Sequence, residues 1–114
     1  MTIENLKKFG ADTELGLTRC MGNEGLYFKL VQMIIDDGKF AALGEALGGK
    51  DLEKAFDYAH ALKGTLGNLA LDPLYVAISE IVEPLRRKDE TYDYLGQYEK
   101  IEGLHRKLGE MAAL

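Results

Sequence analysis

The chain reads as an all-α protein, an antiparallel four-helix bundle with additional short N-terminal helices. Three observations predict this. Apolar residues recur three or four positions apart through most of the 114 residues, the period of a helix with one buried face. The punctuation between these stretches is short, usually a glycine or an Asp, Asn or Thr cap, so that successive helices become antiparallel neighbours. No stretch has the strict alternation of a half-buried strand. With 46% hydrophobic residues and no low-complexity linker or repeat, the chain is expected to form one domain over 1–114, with short helices at 2–21 and the bundle over about 23–112.

The elements follow in order. Thr2 to Phe9 predicts a short helix stopped at Gly10, and Asp12 or Thr13 caps a second that runs to Met21 before Gly22. Asn23 caps a third, whose buried face is Leu26, Tyr27, Leu30, Met33 and Ile34. Gly38 breaks it, and Phe40 to Leu47 continues as a further helix that ends at Gly48-Gly49. Asp51 opens nearly five turns with a stripe of Leu52, Ala55, Phe56, Ala59, Leu62, Leu66 and Leu69. Asp72-Pro73 is a restart signal, cap followed by first-turn proline. The next stripe is Leu74, Ala77, Ile78, Ile81, Val82 and Leu85, with Pro84 expected to kink the helix rather than end it. Arg86-Arg87-Lys88 reads as a solvated helix end. Asp89 or Thr91 is expected to begin the last helix, whose stripe is Leu95, Tyr98, Ile101, Leu104, Leu108 and Met111; Tyr92, Tyr94 and Tyr98 cover the edge of the core.

Composition removes several function classes. A formal net charge of −5 argues against a nucleic-acid partner, because little here neutralises a phosphate backbone. The longest apolar cluster, Leu30 to Ile35, is interrupted by Gln32 and is far too short to span a bilayer. The first eight residues have no leader-like apolar run. The expectation is a soluble, cytoplasmic protein with no membrane association, and a monomer is the simpler oligomeric state. The lone Cys20 reads as a reduced, buried thiol. No glycine-rich phosphate loop follows a strand, so autonomous ATP-dependent kinase activity is excluded.

The segment around His60 carries the chemistry. On a helical wheel the core stripe points away from His60, whereas Glu53, His60, Gly64 and Gly67 share one sector at the edge of the exposed face. Two glycines inside a helix cost about 1 kcal/mol each relative to alanine, so their place beside an exposed histidine asks for a reason other than stability. Gly64, one turn on, leaves the imidazole uncrowded, and Gly67 extends the cleared surface. Lys63 brings an ammonium within reach of a group carried on the ring. A neutral imidazole has a lone pair near pH 7 and attacks phosphorus without a general base, giving an anionic phosphoramidate that Lys63 partly neutralises.

The run Ala59-His60-Ala61-Leu62-Lys63-Gly64 resembles the A-H-x-L-K-G signature of histidine phosphotransfer (HPt) domains. Gly16-Leu17 and Gly22-Asn23-Glu24-Gly25-Leu26-Tyr27 are similar to the entry helices of that family, and Asn68 to Leu74 resembles its turn into the third bundle helix; the likeness covers about residues 11–112. It implies a phosphorelay intermediate that exchanges a phosphoryl group with a receiver-domain aspartate of a response regulator, or takes it from a histidine kinase. His60 is then the phosphoacceptor, Lys63 the neighbouring cation and Gly64 the small residue that gives access. Glu53, Asp57, Gly67 and Asn68 border the docking face. No cofactor is implied on this chain, the divalent metal being expected on the receiver. The chain departs from the family at Leu69-Ala70, where a small residue followed by glycine is usual, and this bears on the turn more than on the chemistry.

Other sites carry less. His105, with Gly109 four residues on, echoes His60 and Gly64, but Leu108 replaces the lysine, and a surface histidine is expected. Glu102-x-x-His105 is the one Glu-x-x-His pair, and bundle sites need such pairs on several helices, so no metal site is expected. The competing reading is a non-phosphorylated helical adaptor that binds receivers or other signalling proteins, which has no need of His60, Lys63 and Gly64 together.

Overall fold

A computed structural model describes residues 1–114 as seven helices and no strands. They are α1 (Ile3–Phe9), α2 (Thr13–Arg19), α3 (Glu24–Ile35), α4 (Lys39–Gly48), α5 (Leu52–Asn68), α6 (Asp72–Arg86) and α7 (Tyr94–Ala112). The expected all-α bundle is present. Its four rods are α5, α6, α7 and an arm made of α3 and α4, which break between Ile35 and Lys39; both pack on α7, and α4 also packs on α5. The fully buried Leu43, Leu62, Leu66, Leu74, Ile78, Ile81, Ile101 and Leu108 meet along the axis. None of the helices is long and apolar enough to cross a membrane.

Side-chain caps set most of the starts. Thr2, Asp12, Asn23, Asp51 and Asp93 each accept a backbone N–H three residues on, at 3.0–3.1 Å. The restart at 72–73 differs from expectation: Asp72 is already helical, Leu71 is the cap residue and no side chain caps the helix. Pro73 in the first turn needs no N–H partner there. Pro84 does not end α6, because it lies buried in the last turn, with two helical residues beyond it. The last helix starts later than expected, at Tyr94. Asp89 instead turns onto Thr91, whose N and Oγ1 donate to Asp89 Oδ1 at 2.9 and 2.7 Å, a local closure that competes with helix initiation. Helix α2 stops at Arg19, and the left-handed residues Met21 and Gly22 carry the chain into α3. Met33 and Leu95, read as core, are exposed, each at the edge of its helix's apolar stripe.

The N-terminal helices pack on the bundle and fasten the α5–α6 turn. Helix α1 lies on α7, and Asp12 N donates to Ala70 O at 3.0 Å. The fully buried Tyr27 hydroxyl donates to Leu69 O at 3.0 Å, with its ring against Gly16 of α2. Burial pushes that phenol up to about 12, and the negative ends of Cys20, Asp12 and Asp72 add to the shift. Ala70 holds a left-handed φ of 55° in this turn, a conformation that favours glycine. Its side chain is buried, so the surroundings hold it there. The departure at Leu69-Ala70 is therefore accommodated by packing.

Candidate functional site

Asp51 fixes where α5 begins, and with that cap the helical period sends Ala55, Ala59, Leu62 and Leu66 inward and His60 outward. The His60 ring is exposed and stacks on Phe56, one turn earlier, with centroids 5.3 Å apart and planes within 15°. Phe56 is only half-buried and also lies under the Arg86 guanidinium, 4.8 Å from its ring centroid. Lys63 is half-buried and leans across α6, its Nζ 6.0 Å from the centre of the Tyr75 ring, at the outer range of a cation–π contact.

The two glycines separate clearly. A Cβ added at Gly64 meets nothing within 4 Å, so no packing contact calls for glycine there. One added at Gly67 falls 2.9 Å from the Tyr75 ring. Gly67 is thus a close-approach position between α5 and α6, and the cleared space by His60 comes from Gly64.

His60, Lys63, Gly64, Gly67 and Asn68 of α5 line one open depression of about 750 Å³, with Asp72, Tyr75 and Arg86 of α6 and Leu15 and Arg19 of α2. Arg19 Nη1 donates to Gly67 O, which ties α2 to the last turn of α5. Glu53 and Asp57 lie outside this depression, exposed on the two turns of α5 that precede His60. All seven residues singled out in the sequence lie on α5, five in the depression and two beside it.

Sequence reasoning missed four contributors. Phe56 was read as core, although its i, i+4 relation to His60 signals a neighbour on the helix surface. Arg86 was read as solvated, whereas it reaches back over Phe56. Tyr75 and Arg19 arrive by tertiary packing from other helices, and nothing in their local sequence marks them. His105 is also not a free surface histidine. Its ring stacks on Phe40 at 3.7 Å, and its Nε2 is 2.9 Å from Ile34 O, so it braces the junction of α3 and α4 against α7.

These features define a class: a helical bundle that carries an accessible imidazole in a cation-lined recess on its long side. The Hpt domain family model matches residues 31–92, more than half of the chain and including the whole of α5, and the chain belongs to this family. No curated protein and no solved structure matches it. Hpt domains serve histidine phosphotransfer in phosphorelays, in exchange with receiver domains and kinases.

Proposed function

We propose that this protein is a phosphorelay intermediate in which His60 carries the phosphoryl group between an aspartate of a response-regulator receiver domain and a second relay partner, a receiver or a histidine kinase. The observation that carries the reading is Gly64. A glycine inside an exposed helix face costs about 1 kcal/mol relative to alanine, and here no neighbour requires it. Access to the adjacent imidazole is the remaining physical reason.

In the forward step the lone pair of one imidazole nitrogen attacks the phosphorus of an aspartyl phosphate. The P–O bond to the carboxylate breaks, and its electron pair leaves with the restored aspartate. The return step reverses these bonds. Phe56 supports the ring from one side and limits its rotamers, and Lys63 can swing from Tyr75 toward the phosphoramidate oxygens. The receiver supplies the carboxylate and the divalent metal that neutralises the transferring group. A cytoplasmic setting fits such partners. The test is phosphoryl exchange with a panel of phosphorylated receiver domains and kinases, comparing wild type with His60→Gln.

A further inference from the structure

The recess beside His60 differs in charge from the molecule as a whole. The chain has a formal net charge of −5, yet Arg19, Lys63 and Arg86 line this recess against one carboxylate, Asp72. Arg86 is partly neutralised by Glu83 at 3.2 Å, and Lys63 leans on Tyr75. Arg19 is different. It comes from α2, is exposed, takes part in none of the molecule's ion pairs and spends one nitrogen on Gly67 O. A guanidinium has five N–H donors, so most of its hydrogen-bonding capacity stays outward.

Position decides what that capacity can do. Gly67 is seven residues beyond His60, about 10 Å along the helix axis. Arg19 is therefore too far away to touch a phosphoryl group on the imidazole, but close enough to meet the surface of a protein docked over it. On the opposite side of His60, α5 presents the exposed carboxylates Glu53 and Asp57. On α5 the docking face is thus dipolar, with Glu53 and Asp57 before the histidine and Lys63 and the Arg19 guanidinium after it, while α6 adds Arg86 over Phe56 on the first side and Asp72 on the second. A partner bringing an anionic aspartyl phosphate to His60 is steered by this dipole, and rim charges of this kind govern encounter and orientation more than the chemical step.

Building on the phosphotransfer reading, we propose that Arg19 is a specificity residue for the receiver partner. It pairs with a carboxylate on the receiver's rim and so fixes the direction in which the receiver lies across α5. Its contact with Gly67 O, which alone would make it a helix C-terminal cap, holds the guanidinium in place for this pairing.

The test uses the full chain and the receiver domain that exchanges phosphoryl groups fastest with wild type among a panel. Potassium phosphoramidate, a small donor that needs no docking, reports separately on His60. Arg19→Glu should raise the receiver concentration for half-maximal transfer about tenfold and weaken its salt dependence. Arg19→Gln, which keeps a donor for Gly67 O, should raise it about threefold. Arg19→Lys should stay near wild type. In all three, the change should fall far more on half-saturation than on the saturating transfer rate or on phosphoramidate labelling. Half-saturation and salt dependence equal to wild type in both Arg19→Glu and Arg19→Gln would overturn the proposal and leave Arg19 a cap of α5. So would an Arg19→Lys variant as weak as Arg19→Glu. A wild type that takes no label from phosphoramidate and exchanges with no receiver would overturn the phosphotransfer reading itself, and this inference with it.

Discussion

Gly64 and Gly67 are three residues apart on one helix, and their missing side chains have opposite consequences. At Gly64 an added methyl enters open space with no atom within 4 Å; at Gly67 it meets Tyr75 at 2.9 Å. Gly64→Ala should therefore raise stability by about 1 kcal/mol, the helix-propensity gain, while slowing phosphotransfer by filling open space that a docked partner must enter to reach the imidazole. Gly67→Ala should lower stability by about 1–3 kcal/mol through overpacking. Thermal denaturation with a transfer assay on each variant checks both, and a Gly64→Ala protein with unchanged transfer would remove the access argument. The sequence made His60, Lys63 and Gly64 legible because they are neighbours on one helix, where spacing determines direction. It could not separate the two glycines, because the difference lies in Tyr75 on another helix.

At the scale of elements, caps and periodicity made most helices legible, and the errors fall where a tertiary contact or a local turn outweighed them. Asp89 closes onto Thr91 and delays α7, and Asp72 enters α6 without capping it. His105 looks like a surface residue by its polar neighbours, yet it is stacked on Phe40 and bonded to Ile34 O. His105→Ala should cost about 2 kcal/mol, a ring contact and a hydrogen bond together, and leave transfer intact. Chemical denaturation and the transfer assay read these separately. Helix α3 holds the α5–α6 turn through Tyr27, whose hydroxyl is pushed from 10.0 to about 12. The folded state favours the neutral phenol, so this stabilisation is complete below pH 10 and is lost as pH rises toward 12. Tyr27→Phe should be less stable by about 1 kcal/mol at pH 8 and should fall less steeply than wild type above pH 10. Parallel stability profiles from pH 9 to 12 would contradict that role.

As a whole, the molecule is a rod of 41 × 24 × 19 Å with the candidate nucleophile on its long side, bordered by α2, α5 and α6. The bundle core fixes α5, α5 fixes the direction of His60, and α2 supplies one wall of the recess. The bundle was legible in the sequence because each helix shows its own apolar stripe. The recess was not, because α2, distant in sequence, completes what the consecutive α5 and α6 begin. The central claim, that His60 carries the phosphoryl group, is tested most directly by incubating wild type and His60→Gln with phosphorylated receivers and kinases and examining the label. The account predicts an acid-labile, base-stable label on wild type and none on a folded His60→Gln protein. Equal labelling of both, or a folded wild type that binds receivers yet takes no label from any donor, would contradict it and point to a helical adaptor.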